Sequence, residues 1–403
     1  MERFYTTALE EHLKNYNQML FLTGPRQVGK TTLSITLKSL FKKSYYFNWD
    51  LFEDRKKILA GQENIAKIAL LDTMQDTIPI IIFDEIHKYS KWKIFLKGFF
   101  DLYKDQCKIV VTGSSRLDTY TKGGDSMMGR YFLYNIFPLT IAELLENHKI
   151  VTNGISYPQP ISQARFDRLW THGGFPEPFL RDDKTFTSRW KRLRNKQLFK
   201  EDIRSLSNIQ EIDQLEVLAQ SLQLQVGQLV NRSVLAKQIM VSVSTISRWL
   251  NTLKTFYHCF EIKPWTHNLK RTLLKEPKIY LYNWATLNDI GEKAENFVAL
   301  HLYKYVNFQN DFGYGDFGLY FLRDKDKREV DFLITKDNLP WVMIEVKYSA
   351  NSGISKSLYY FQEQTGAKHA FQVVFDLPYV DKDCFTYTKP IIVPAKTFLS
   401  QLI

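Results

Sequence analysis

The sequence predicts an α/β protein of several domains: a mainly parallel sheet with helices on both faces, a mostly helical middle, and a second α/β region. Three observations predict it. To about residue 145, strand-like apolar runs alternate with amphipathic stretches, as when helices cover a parallel sheet. From 146 to 275 a loop rich in Gly, Pro, Ser and Asn, "VTNGISYPQPISQ", opens a segment of helical periodicity. From 276 to 403 aromatic and β-branched runs return around one clear helix, "NDIGEKAENFVALHLYKYV". A chain of 403 residues exceeds one ordinary core and suits two or three domains.

In the first region, 1–145, strands are expected at "QMLFLTG", "KSYYFNW", "IPIIIFDE" and "CKIVVTGSS". The apolar share of 44% is ample for burial and excludes a disordered chain. The run around "IPIIIF" is far short of the roughly 20 residues a membrane helix needs. The N-terminus lacks the basic-then-apolar pattern of a signal peptide, so a cytoplasmic protein without membrane contact is expected. Cys107, Cys259 and Cys384 lie far apart, unlike the close pairs of zinc sites, and read as core thiols. A net charge of +11 favours a polyanionic partner such as nucleic acid. Part of the excess is local, because "SRWKRLRNKQLFK", 188–200, carries six Lys or Arg and no acid. The alternative for that run is a solvated helix face.

"GPRQVGKTT" fits the phosphate-loop pattern GxxxxGK[ST] and sits between the strand "MLFLT" and the helix "TTLSITLKSL". The loop comprises Gly24, Pro25, Arg26, Gln27, Val28, Gly29, Lys30, Thr31 and Thr32. Its glycines let successive amides turn toward one anion, and the positive end of the following helix favours the same charge. Lys30 is then expected on the β- and γ-phosphates of ATP, Thr31 on Mg²⁺, and Thr32 in support of the cradle.

"IIIFDEIHK" ends a buried strand in Asp84 and Glu85, two acids whose desolvation makes little structural sense without a cation. Asp84 is the expected Mg²⁺ carboxylate, directly or through water, and Glu85 the group that polarises the attacking water. Thr112, Ser114 and Ser115 end the next strand, and Ser114 is the best placed to sense the γ-phosphate. Arg116 and Arg130 are candidate arginine fingers, acting within the chain or from a neighbouring subunit of a homo-oligomer.

In the middle region, "LVNRSVLAKQIMVSVSTISRWLNTLKTFY" reads as a helix-turn-helix. Ser233 is expected to cap a first helix with Leu235, Ala236 and Ile239 inward. Ser242 is expected to cap a second with Val243, Ile246, Trp249, Leu250 and Leu253 inward. Thr245, Ser247 and Arg248, with Ser244 and Asn251, then face outward with groups suited to phosphates and base edges. A structural hinge is the alternative for this segment.

In the last region, "VDFLITKDNLPWVMIEVKYS" reads as a hairpin. Period two sets Glu345 and Lys347 on one face, and pairing brings Asp331 beside Glu345. Asp331 and Glu345 are candidate Mg²⁺ ligands, Lys347 a candidate to orient water, and Glu295 from the upstream helix a third carboxylate. Gln362 is a further polar candidate. The alternative is a hairpin with a Glu–Lys pair across one face.

The phrases "FLTGPRQVGKTTL", "FDEIHKYSKWKIFLKGFFD", "VVTGSSRL", "GRYFLYNIFPLTIAEL" and "GGFPEP" together resemble the prokaryotic AAA+-type ATPases that carry a C-terminal DUF4143 region. The resemblance spans nearly the whole chain. It implies a P-loop NTPase domain, a helical lid and winged-helix middle, and a C-terminal domain similar to PD-(D/E)XK nucleases of the restriction-endonuclease type. The order Glu295, Asp331, Glu345, Lys347 is similar to that nuclease core. Asn283 in "KIYLYNWATL" departs from the family's Asp. The expectation is an Mg²⁺-dependent ATPase that couples nucleotide state to a nuclease-like domain on nucleic acid, DNA first. The alternative is an ATP-controlled DNA- or protein-binding module that does not cut.

Overall fold

The computed structural model describes residues 3–113, 127–145, 154–204, 209–266, 276–351 and 353–402. It divides into two compact units, Met1–Phe137 and Pro138–Ile403.

The first unit is a five-stranded, all-parallel sheet of β1 (Met19–Thr23), β2 (Ser44–Asn48), β3 (Ile80–Asp84), β4 (Lys108–Thr112) and β5 (Tyr131–Asn135). Their order is β2-β3-β4-β1-β5. β1 and β3 are buried along their whole length, which is why they read as continuous apolar runs rather than alternating ones. On one face Phe21, Phe83, Ile109 and Val111 pack with Phe95, Leu96 and Phe99 of the helix Trp92–Tyr103. Phe83 meets the rings of Phe95 and Phe99 edge-on at 5.7 and 5.6 Å. The helices Tyr5–Asn15 and Lys30–Lys38 also pack on the sheet, against β1 and against β3 and β4 respectively. β5 was not among the four expected strands, and it completes the sheet beside β1.

The second unit begins with residues 138–145, which the sequence reading assigns to the first region. Glu143 forms a buried ion pair with Lys304, and Lys304 Nζ also donates to the Pro138 carbonyl at 3.0 Å. The Ile141 amide donates to His301 Nε2 at 3.1 Å. Such buried pairing fixes the segment to the long helix Ile290–Asp311.

Helices Gln163–His172, Pro176–Arg181 and Lys184–Gln197 follow, the last running into a π-helical stretch, Leu198–Ile203. Then come Ile212–Gln223, Arg232–Ile239 and Val243–Thr255. Asn231, not Ser233, caps the second of these, accepting from the Val234 amide at 3.0 Å. Asn at this position is as good a cap as Ser and precedes it in the chain. Ser242 caps the third as expected, at 3.0 Å from the Thr245 amide. Leu235, Ala236, Ile239, Ile246, Trp249, Leu250 and Leu253 are buried, but Val243 is 45% exposed because it lies in the first turn, beyond the packed face.

A seven-stranded mixed sheet carries the rest: β6 (Cys259–Pro264), β7 (Lys278–Leu281), β8 (Phe317–Arg323), β9 (Glu329–Lys336), β10 (Leu339–Lys347), β11 (His369–Val374) and β12 (Ile391–Pro394). The order is β12-β11-β10-β9-β8-β6-β7. β6 pairs antiparallel with β7 and joins β8 at Lys263 and Pro264. The expected division at 275/276 therefore falls between two paired strands, and the sheet draws β6 from the middle region. Among the described residues no helix is long and apolar enough to cross a membrane.

Candidate functional site

β1 ends at Thr23, and the loop 24–29 turns directly into the helix Lys30–Lys38. Gly24 has φ +146°, and a Cβ there would stand 2.2 Å from the Ile136 carbonyl oxygen, so no larger residue fits. Gly29 is the helix N-cap at φ 99°, and Gln27 is left-handed at φ 62°. Val28 is buried, and its carbonyl accepts from Arg3 Nη1 at 2.7 Å while Arg3 Nη2 reaches the Phe137 carbonyl at 2.6 Å. Arg3 thus ties the loop to the end of the β5 segment, a role with no signal in the sequence pattern. Lys30 Nζ donates to the carbonyls of Gly24 and Pro25 at 2.9 and 2.7 Å, placing the ammonium inside the curl of the loop.

Asp84 lies at the C-terminal end of β3, two strands from β1, and is 1% exposed. Thr31 Oγ1 donates to its Oδ2 at 3.0 Å, Tyr46 hydroxyl to the same oxygen, and Thr112 Oγ1 to Oδ1. The structure therefore brings Thr31 and Asp84 together as the sequence predicts and adds two hydroxyls. Burial and the Asp84 carboxylate together push the Tyr46 phenol above its ordinary value. Tyr46 could have been found from strand pairing, since Tyr46 and Asn48 share a face of β2 and Asn48 sits opposite Asp84.

Glu85 takes the left-handed conformation, φ 54°, which turns the chain sharply out of β3. Burial would push its carboxyl up, but His87, Lys30 and Lys88 outweigh this and hold it below the ordinary glutamate value. Lys88 Nζ lies 3.2 Å from Glu85 and 2.6 Å from Asp50. His87 is itself pushed down to about 4 by burial, so near neutral pH the relevant cations are the two lysines. Glu85 is thus ionised and able to accept a proton or a hydrogen bond.

Arg130 makes a bidentate pair with Asp101, at 2.8 and 2.9 Å, on the surface. It precedes β5, which runs parallel to β1, so Arg130 is at the edge of the sheet opposite the phosphate loop, about 17 Å away along a five-residue strand. This register sets Arg130 away from the phosphate loop of its own chain, in a surface pair with Asp101. Ser114, Ser115 and Arg116 lie outside the described residues.

In the second unit Asp331 and Glu345 are brought together as expected. Ile344 sits opposite Phe332, the next step in register sets Glu345 across from Asp331, and the Val346 amide donates to Asp331 Oδ2 at 2.8 Å. Lys347 Nζ donates to Glu345 Oε1 at 2.8 Å, so the cross-face pair is present too. Glu345 Oε2 is buried without a partner among the described residues. Glu295 joins from the helix Ile290–Asp311, where Tyr280 hydroxyl donates to it at 2.7 Å. Gly227 packs so closely on Glu295 that a Cβ there would stand 2.8 Å from its Oε1.

Two residues that the sequence reading passed over complete the cluster. Lys278 Nζ lies 3.3 Å from Glu295, 2.6 Å from Glu329 and 3.8 Å from Asp331. Glu329 is also paired with Arg323 at 2.5 Å. Both had a signal: Glu329 shares the strand face of Asp331 two residues on, and Lys278 is a lysine inside an apolar strand, "KIYL". Burial, together with repulsion from Asp331, pushes Glu295 and Glu345 up to about 7. Lys278, although desolvated, is held above its ordinary value by Glu295, Asp331 and Glu329. The side chains of Glu295, Asp331 and Glu345 keep 22%, 16% and 10% of their surface, so the cluster is reachable from solvent.

Asn283 and Gln362 do not join it. Asn283 Oδ1 accepts from the Ala285 amide at 3.2 Å, and Gln362 Nε2 donates to the Ala367 and Thr388 carbonyls at 3.0 and 2.7 Å. In the helix Val243–Thr255, Ser247 Oγ donates to the Val243 carbonyl at 3.0 Å and Thr245 Oγ1 bonds Ser242 Oγ at 2.8 Å, while Arg248 is exposed.

Residues 16–145 match an AAA domain, residues 163–294 a domain of unknown function, DUF8612, and residues 290–385 a domain of unknown function, DUF4143. An uncharacterized protein of Mycobacterium tuberculosis is 21% identical over 360 residues, covering 84% of this chain and 72% of its own. One of Methanocaldococcus jannaschii is 23% identical over 353 residues, covering 83% of this chain and 76% of its own. Among solved structures, the Walker-type ATPase PABY2304 of Pyrococcus abyssi aligns with a TM-score of 0.43 at 15% identity, over 69% of this chain and 92% of that one. The chain thus carries a segment similar to an AAA domain and, C-terminal to it, one similar to DUF4143.

Proposed function

We propose that the AAA-type domain binds ATP with Mg²⁺ and hydrolyses it. One observation carries this reading: Asp84, a buried carboxylate beside the phosphate loop, is held by three neutral hydroxyls and makes no ion pair among the described residues. Hydroxyls orient such a carboxylate without cancelling its charge, so a cation is the expected complement. The donors fit Mg²⁺, with Thr31 and Asp84 as the residues to hold it, Asp84 through water because it is so deeply buried. The bound ion supplies charge neutralisation at the β- and γ-phosphates. Lys30 leaves its loop carbonyls for the same oxygens, backbone N–H groups of 26–32 wrap the phosphates, and Glu85 takes up a hydrogen bond from the attacking water. ATP turnover by the wild type against Lys30→Ala and Glu85→Gln tests the reading, and undiminished turnover in both overturns it. In this reading Arg130 serves a neighbouring copy, so a homo-oligomer that assembles with ATP, detected by sedimentation, is part of this proposal.

For the second unit we infer a winged helix, from the three helices 212–255 and the antiparallel pair β6–β7, followed by a nuclease-like sheet that binds nucleic acid. What favours a polyanion is a stripe on the helix 184–200. Arg189, Arg192, Lys196 and Lys200 are exposed, recur at helical spacing over about 16 Å, and form no ion pair among the described residues. Four phosphate contacts predict a salt slope of about −3 to −4 in log–log binding. A titration of DNA and RNA at several salt concentrations checks it. A flat slope, or no binding, points instead to a protein partner, with the chain acting in the cytoplasm as a nucleotide-controlled module.

A further inference from the structure

Three carboxylates from two elements, Glu295 on a helix and Glu329 and Asp331 on β9, converge on one point, and that point is taken by the ammonium of Lys278. Lys278 cannot easily leave. Its strand β7 is paired to β6 with Lys278 opposite Ile262, its side chain crosses the Phe321 ring 5.6 Å from the centroid, and only 3% of it is exposed. Its contacts at 2.6 and 3.3 Å are hydrogen-bond lengths. A divalent ion would draw the same oxygens to about 2.0–2.6 Å and would have to occupy the same space. Among the described residues no group of three or more His, Cys, Asp or Glu is arranged to hold a metal ion.

A Mg²⁺ shared by Asp331 with Glu295 or Glu329 therefore does not fit the residues as they stand, and one between Asp331 and Glu345 would stand beside the Lys278 ammonium, 3.8 Å from Asp331. We propose that Lys278 is the built-in cation of this cluster, standing where a metal-dependent nuclease would hold its metal, and that the cluster takes up no divalent ion while Lys278 is present. The cluster is then a fixed ionic joint, linking β7 to β9 and to the helix Ile290–Asp311, rather than a hydrolytic centre. Glu345 Oε2, buried without a partner, is the oxygen a metal would use first, so it supplies the sharpest control.

The probe is Mn²⁺ alone, titrated into the full chain without nucleotide and counted by loss of the free-ion paramagnetic resonance signal. Wild type, Asp331→Asn and Glu345→Gln are expected to bind Mn²⁺ equally. Lys278→Met is expected to gain one site, at least about tenfold tighter than any in the wild type, and Lys278→Met combined with Asp331→Asn to lose it. A wild-type site that Asp331→Asn or Glu345→Gln removes overturns the proposal, as does a folded Lys278→Met that gains nothing. Should Lys278→Met fail to fold, the wild-type comparison decides alone: equal binding supports the proposal and a carboxylate-dependent site overturns it. With no nucleotide present, the outcome is separate from that of the ATP turnover experiment.

Discussion

At the phosphate loop the buried carboxylate of Asp84 takes its hydrogen bonds from Thr31, Tyr46 and Thr112, whereas in the C-terminal unit Glu295, Glu329 and Asp331 share the ammonium of Lys278. Both arrangements satisfy their acids by hydrogen bonds, but only the second sets a cation among them. A carboxylate fixed by hydroxyls keeps its charge for something that comes and goes with a ligand. One fixed by a buried lysine has already spent that charge on the fold. The motif letters at the two places look alike, an acid pair near a lysine, so the nature of the donors separates a site from a joint.

Lys278→Met should break the contrast most severely. Removing one partner of a buried pair leaves uncompensated charge and costs about 3–5 kcal/mol, read as the loss of denaturant stability of the second unit, with partial recovery when Glu329→Gln is added. Lys30→Ala comes next: loss of one charge-stabilising donor lowers turnover by about 10²–10³, while the thermal midpoint of the first unit stays close to wild type. Tyr46→Phe removes one of three neutral donors from a charged acceptor and should lower stability by about 1.5–3 kcal/mol, measured by chemical denaturation. Smallest, per group and per pH unit, is the effect of pH. Glu295 and Glu345 titrate near 7 in the folded chain against 4.5 as the ordinary value, so the folded state holds the extra protons between those values. Stability should therefore fall as pH rises through that window, by at most about 1.4 kcal/mol per group per pH unit. Glu345→Gln should flatten the profile of unfolding midpoint against pH.

Much of this was legible before folding. The continuous apolar runs β1, β3 and β4, the glycines of the loop, and the acids at the end of β3 announce themselves because each is a local requirement on one short stretch. Period two likewise put Glu345 and Lys347 on one face. β5 was harder, since "YFLYN" is only partly buried and lacks the unbroken apolar character of its neighbours. The helix cap moved from Ser233 to Asn231 because both are competent caps and the packed face decides where the helix starts. Arg3, more than a hundred residues from its Phe137 partner, left no trace in any local pattern.

The sequence by itself determined that a phosphate loop would stand at the end of a parallel strand, that acids would close a neighbouring strand, and that Asp331 and Glu345 could meet across a hairpin. Local conformation, hydrophobic period and motif spacing are properties of contiguous residues, and they survive reading one stretch at a time. Only the tertiary structure decided what each acid answers to, hydroxyls from β2, β4 and the helix Lys30–Lys38 for Asp84 and a lysine from β7 for the C-terminal cluster, and where Arg130 stands, at the end of the sheet away from the phosphate loop. Charge compensation acts through a few ångströms of space and is indifferent to sequence separation, so it cannot be read until the chain has folded.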